Sequence, residues 1–300
     1  VGDTGGGADV SGRRFKQVDV FTRIPFLGNP VAVVLDADGL SGEQMQRIAG
    51  WTNLSETTFV LAPTRADADY RLRIFTPRAE LPFAGHPTLG SAHAVLEAGI
   101  AAPRDGGLRQ ECGAGVVQLA IEDHSAARLW LESPPRTLSA LDPAQREPLE
   151  QALGAGIERD TPPTIVDVGP RWLVARLADA RCVGDLAPDL AAVAALSTAL
   201  GLTGVVVFGA SDDGVSAIHV RAFAPAHGVP EDPVCGSGNI SVAAFAARTG
   251  WIEQIGARYR ARQGMQLGRD GRIAIRVADA GETIWLGGDA VTCVDGTVQA

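Results

Sequence analysis

Lysine is all but missing from this 300-residue chain: Lys16 is the single one, and arginine supplies the rest of the positive charge. That scarcity excludes a phosphate-binding loop of the G-x-x-x-x-G-K-[ST] type and a Schiff-base lysine in the body of the protein. The net charge of −9 carries no compensating basic stripe, so no nucleic-acid partner is expected. Cysteine is thin as well. Cys112, Cys182, Cys235 and Cys293 lie too far apart for a C-x-x-C motif, and a core this large needs no disulfide framework. Of the five histidines, His93, His124, His219 and His227, like the cysteines other than Cys235, have no partner at a metal-ligand spacing, so no metal is expected and they are read as structural or surface residues. No apolar run approaches membrane-spanning length, and no charged-then-apolar signal segment opens the chain. The expectation is a cytoplasmic protein without membrane contact, in a reducing compartment.

What is present is apolar residue and glycine. A hydrophobic share of 46% over 300 residues can bury a sizeable core, and the length favours two domains. Residues 1–12, rich in glycine, are read as a flexible lead, native or added, without function. Strands are expected at Phe15–Phe21, Val31–Leu35, Glu56–Leu61 and Tyr70–Phe75. Ser41 followed by Gln44 is a capping-box signature for a helix in which Met45, Ile48 and Trp51 recur at helical spacing. Leu108–Cys112, Val116–Glu122 and Arg128–Glu132 read as short strands, and Leu138–Ile157 as a helix ended by Pro162-Pro163.

From Thr164 the order of elements begins again. Gly169-Pro170-Arg171-Trp172-Leu173-Val174 resembles Gly28-Asn29-Pro30-Val31-Ala32-Val33, a helix at Asp189–Leu200 stands where Gly42–Trp51 stood, and Arg221-Ala222-Phe223-Ala224-Pro225 matches Arg73-Ile74-Phe75-Thr76-Pro77. Each half then reaches a glycine turn that opens an alanine-rich helix: Phe83-Ala84-Gly85-His86-Pro87 in the first, Val234-Cys235-Gly236-Ser237-Gly238-Asn239 in the second. Pro87 suits the first position of a helix, Ser237 or Asn239 can cap one, and Gly99 and Gly250 fall where a left-handed terminator is wanted. A repeat of this length is too large for a solenoid unit. The fold class expected is α+β: two pseudo-symmetric domains, 13–133 (with 288–300 as its candidate completion) and 134–287. In each, a curved mixed or antiparallel sheet wraps a central helix, and the glycine turns meet at an interdomain cleft. Helix N-termini there favour a carboxylate or another anion.

The halves are most informative where they differ. The first offers Asn53-Leu54-Ser55-Glu56-Thr57 where the second offers Leu202-Thr203-Gly204-Val205, and a carboxylate at the edge of an apolar strand is partly desolvated, which raises its pKa toward the range useful for proton transfer. A solvent-facing strand residue or cap acceptor is the plainer reading of Glu56. His86 and Asp232 are each read either as structural or as ligand-facing. Cys235 at a helix start invites a thiol mechanism, yet the corresponding turn holds Ala84, Gly85 and His86, so a two-thiol relay lacks its second thiol.

Val18-Asp19-Val20-Phe21, Pro25-Phe26-Leu27-Gly28-Asn29-Pro30, Asn53-Leu54-Ser55-Glu56-Thr57, Phe75-Thr76-Pro77, Glu80-Leu81-Pro82-Phe83-Ala84-Gly85-His86-Pro87-Thr88-Leu89-Gly90 and Glu231-Asp232-Pro233-Val234-Cys235-Gly236-Ser237 resemble, in order, the motifs of the PhzF-like (phenazine biosynthesis) isomerases. The resemblance implies a diaminopimelate epimerase-like fold, a homodimer, no cofactor and a small carboxylate-bearing substrate. It implies an isomerisation like that of trans-2,3-dihydro-3-hydroxyanthranilate in secondary-metabolite biosynthesis. Glu56 would move the proton, His86 and Asp232 would hold and polarise the substrate, and Ser55, Gly85, Gly236 and Ser237 would bind it. Gly238-Asn239-Ile240-Ser241 departs from the Ala-Asn-Gly-Pro that phenazine enzymes resemble. A racemase using Cys235, or a non-catalytic binding member, is the alternative.

Overall fold

Ser41 and Gln44 form the reciprocal cap that their spacing predicts: Gln44 N–H donates to Ser41 Oγ at 3.2 Å and Ser41 N–H donates to Gln44 Oε1 at 2.8 Å. Trp51 of the same helix departs from its expected stripe, 79% exposed while Met45 is fully buried. The computed structural model describes residues 12–122 and 128–300. His124 and the expected lead, apart from Gly12, lie outside the described residues.

The elements in chain order are β1 (Gly12–Val20), β2 (Asn29–Val34), α1 (Gly42–Thr52), β3 (Thr57–Leu61), β4 (Tyr70–Phe75), β5 (Glu80–Leu81), α2 (Gly85–Glu97), β6 (Gly107–Cys112) and β7 (Gly115–Glu122). There follow β8 (Arg128–Glu132), β9 (Thr137–Ala140), α3 (Arg146–Leu153), β10 (Thr164–Asp167), β11 (Arg171–Asp179), α4 (Ala180–Gly184), α5 (Leu190–Leu200), β12 (Gly204–Ala210), β13 (Ile218–Ala224) and β14 (Val229–Asp232). Last come α6 (Gly236–Thr249), α7 (Ile252–Ile255), β15 (Arg258–Gln263), β16 (Gly271–Ala278), β17 (Thr283–Gly288) and β18 (Ala290–Gln299). None of the described helices is long and apolar enough to cross a membrane. No disulfide joins the four cysteines.

The described chain divides into two compact units: 12–20, 30–122 and 290–300 in the first, 21–29 and 128–289 in the second. Their topologies match strand for strand. In the first, β2 runs parallel to β3, β3 antiparallel to β4, β4 antiparallel to β5 and parallel to β6, and β6 antiparallel to β7. In the second, the same senses recur in β11–β12, β12–β13, β13–β14, β13–β15 and β15–β16. The repeat read from element order is therefore a repeat of topology.

The boundaries differ from 133/134. Strand β8 pairs with β17, Trp130 opposite Gly287, where a side chain at Gly287 would put a Cβ 2.5 Å from the indole; β8 thus belongs to the second unit. Strand β18 pairs antiparallel along the whole of β1, from Gly12↔Gln299 to Val20↔Ala290, and completes the first unit. The segment 21–29 is bound into the second, Phe21 N–H donating to Asp289 O at 2.7 Å and Asp270 N–H to Leu27 O at 2.8 Å.

The helix expected over 138–157 is a correction. Thr137–Ala140 is a strand because Leu138 and Ala140 find partners at Val166 and Thr164 of β10. Pro143 then starts a 3₁₀ turn capped by Asp142, and only Arg146–Leu153 is α-helical before Gly154, at φ 68°, ends it. The caps on α6 also differ: Cys235, not Ser237 or Asn239, is the N-cap, its sulfur accepting the Gly238 N–H at 3.3 Å. Pro87 is the third residue of α2, not its first.

In both units the two faces of the sheet are covered by different helices, as the period-2 alternation of strand side chains requires. Phe59 faces α1 with Val34, Met45 and Phe75, while its neighbour Thr58 hydrogen-bonds Ser91 of α2 at 2.8 Å. Val205 and Val207 pack with Leu149, Leu153 and Val193 of α3 and α5, while Phe208 meets Phe245 of α6 edge-on at 5.5 Å. Helices α2 and α6 are buried nearly all round, which selects small residues over an amphipathic stripe. Gly90 shows how closely: a Cβ there would lie 2.4 Å from Val31 Cγ1 and 2.8 Å from Val20 Cγ2. Gly90→Ala should accordingly lower stability by about 1–3 kcal/mol, read as a fall in thermal midpoint; an unchanged midpoint would contradict this packing.

Candidate active site

Glu56 owes its place to the end of one helix and the start of one strand. Asn53 terminates α1 in the left-handed conformation, φ 55°, and the chain turns through Leu54 and Ser55 before entering the buried strand β3. The backbone at Glu56 is already held, its carbonyl accepting the Ala32 N–H of β2 at 3.4 Å. The side chain is thereby fixed at the mouth of an apolar strand, 16% exposed, with Oε2 buried and accepting no hydrogen bond. Loss of hydration pushes the carboxyl up from 4.5 to about 7, against a smaller lowering by the Ser55 hydroxyl. The chemistry expected of an elevated carboxyl thus has a structural cause in place.

His86, the second residue of α2, is 8% exposed and brings Nε2 to 3.5 Å from Glu56 Oε2. Two residues 30 positions apart become neighbours because β3 leads into β4 and β5, which deliver the chain to the start of α2. That helix has no side-chain cap: Ala84 occupies the N-cap position. Gly85 precedes His86 and is half-buried, while Ser55 is exposed. An elevated carboxyl, an imidazole and an uncapped helix start can together exchange a proton and receive an anion.

In the second unit the equivalent turn is built by hydrogen bonds. Asp232, at the end of β14, accepts at Oδ1 from Val234 N–H at 3.0 Å and from Asn29 Nδ2 at 3.2 Å. Asn29 also donates to Val234 O at 3.0 Å. Gln263 of β15 spans the turn from the other side, accepting from Cys235 N–H and Asn239 Nδ2 and donating to Asp232 O at 2.9 Å. Ser237, second in α6 as His86 is second in α2, accepts from Trp172 Nε1 at 2.9 Å. Gly236 is buried beneath it.

Cys235 does not have the lowered pKa that a helix start can confer. Burial, reinforced by the Asp232 carboxylate, pushes its thiol well above the usual value, so it remains protonated near neutrality. Its counterpart in α2 is Ala84. Both facts count against a two-thiol relay. Among the described residues no three His, Cys, Asp or Glu side chains gather as a metal site.

Sequence reasoning missed Asn29, Trp172 and Gln263 as builders of this turn. A signal for Gln263 was present: Gln110 of β6, the strand matching β15, donates to Thr88, the fourth residue of α2, as Gln263 accepts from Asn239, the fourth residue of α6. Nothing local in the sequence couples Asn29 to Asp232.

Paired α+β units, each with a glycine-led central helix, define the fold as diaminopimelate epimerase-like, and relatives that match nearly the whole chain are named isomerases. A family model described as phenazine biosynthesis-like protein matches residues 18–296. The chain is 37% identical over 274 residues to the trans-2,3-dihydro-3-hydroxyanthranilate isomerase of Pseudomonas aeruginosa, covering 90% of this chain and 92% of the relative. It is 40% identical over 290 residues to antisense-enhancing sequence 1 of Schizosaccharomyces pombe, covering 94% and 97%. The crystal structure of a Bacillus anthracis phenazine biosynthesis protein of the PhzF family superposes with a TM-score of 0.84 at 25% identity, covering 97% of this chain and 100% of that one. This chain belongs to the PhzF family.

Glu56 also makes stability depend on pH. Its folded pKa of about 7 lies above the ordinary 4.5, so the folded state holds the proton more tightly. The stabilisation is whole below pH 4.5 and lost as pH rises through 7. The thermal midpoint of the wild type relative to Glu56→Gln should therefore fall across that interval; a difference independent of pH would contradict it.

Proposed function

We propose that this chain moves a proton between carbons of a small cyclic, amino-acid-like carboxylate, of the trans-2,3-dihydro-3-hydroxyanthranilate type, with Glu56 as general acid and base. The observation that carries this reading is the buried Glu56 carboxyl, raised to about 7 beside His86 Nε2. Near neutrality such a group is present in both forms, and each half of an isomerisation needs one of them. The carboxylate removes an acidic allylic proton, the electron pair delocalises over the conjugated carbons, and the Glu56 acid returns a proton to a different carbon. Atoms and charge balance without a cofactor.

His86 and Asp232 are assigned to holding and polarising the substrate, and Ser55, Gly85, Gly236 and Ser237 to binding it, Gly85 and Gly236 through helix-start N–H groups. The 37% identity to a named dihydrohydroxyanthranilate isomerase supports the substrate type, and a role in secondary-metabolite biosynthesis is part of the same proposal. Glu56→Gln should cut kcat on trans-2,3-dihydro-3-hydroxyanthranilate by about 10²–10⁴-fold while preserving the fold. In D2O the wild type should place deuterium on the newly protonated carbon. Turnover by Glu56→Gln near the wild-type rate would refute the assignment.

A further inference from the structure

Trp172 has no part in the proton shuttle, yet its geometry restricts what Ser237 can do. The indole N–H is a donor only, so the 2.9 Å contact with Ser237 Oγ has one sense: Trp172 gives and Ser237 accepts. The donor is rigid. Trp172 is 3% exposed within β11, between Val166 of β10 and Gly204 of β12. Gly204 leaves room for it: a Cβ there would lie 2.9 Å from Trp172 Cζ3 and 2.0 Å from Phe223 O.

With one of its two lone pairs engaged by the indole, the Ser237 hydroxyl keeps its proton to give and a single lone pair to accept with. Its other neighbour is Cys235 Sγ at 3.6 Å, a weak partner whose sulfur already receives the Gly238 N–H. Ser237 is half-buried, open enough to meet a ligand. A serine held in this way can offer its O–H to an acceptor oxygen, and it does so most strongly to a charged one.

We infer that Trp172 is a positioning residue: by taking one of the two acceptor lone pairs of Ser237 and fixing that oxygen in place, it biases the hydroxyl toward donating and favours a ligand that presents a carboxylate oxygen there. The inference rests on the substrate-binding role proposed for Ser237 and adds the residue that sets its specificity.

The test is a binding cycle with 3-hydroxyanthranilate, an aromatic ring carboxylate that cannot be isomerised, and its primary amide. Calorimetry would be run on the wild type, Trp172→Phe, Ser237→Ala and the double variant. Trp172→Phe, which keeps the ring and removes the N–H, should weaken the carboxylate about five-fold and leave the amide within about two-fold. Ser237→Ala should lose the same preference, and the double variant should lose no more, since both changes remove one interaction. Equal weakening of both ligands, an unchanged preference in Trp172→Phe, or additive losses would overturn the inference while leaving the substrate class standing. A wild type that binds neither ligand brings down the substrate class and this inference together. Thermal midpoints separate a misfolded variant from a selective one, and for a misfolded Trp172→Phe the carboxylate-to-amide preference of Ser237→Ala decides.

Discussion

The site depends on one electrostatic constraint: a carboxylate largely removed from water and given no hydrogen bond at its buried oxygen. Desolvation penalises the charged form, and Glu56 answers by titrating near neutrality instead of leaving its position. It cannot leave because its backbone is held where β3 begins beside β2, and the strand that follows is buried. An unsatisfied polar atom in a protein interior calls for an explanation, and the proton transfer proposed for Glu56 supplies one.

The two central helices meet the same demand differently. At α2 the start is open, with Ala84 in the cap position and His86 next to Glu56. At α6 the start is closed by Cys235, and the surrounding polar groups are tied into one another by Asn29 and Gln263. A shared topology thus carries two different helix starts, one uncapped beside an elevated carboxyl and the other capped and tied by hydrogen bonds. Trp172 extends that fixing to the hydroxyl of Ser237.

Much of this was legible in the residues. The strands flanking each central helix, the capping box at Ser41 and Gln44 and the repeat itself all follow from local chemistry and pattern, because each depends on neighbours close in sequence. Glu56 stood out because the second half has Gly204 in the same region, and the structure gives Gly204 its own reason: the space goes first to the Phe223 carbonyl and then to the Trp172 ring. What escaped depends on distant partners. Thr137–Ala140 becomes a strand only because β10 lies beside it, the cap on α6 comes from a thiol in place of the usual hydroxyl or amide, and Asn29 reaches Asp232 across 203 residues. The exchange of 21–29 and 290–300 between units has the same character, since strand pairing settles it.

Titrating Glu56 itself tests the central claim most directly. Carboxyl ¹³C resonances followed by NMR against pH, with the Glu56 signal assigned by its loss in Glu56→Gln, report the group without any substrate. A midpoint near 7 is what burial at the start of β3 requires, and a midpoint near the ordinary 4.5 would show a solvated carboxylate and contradict the account.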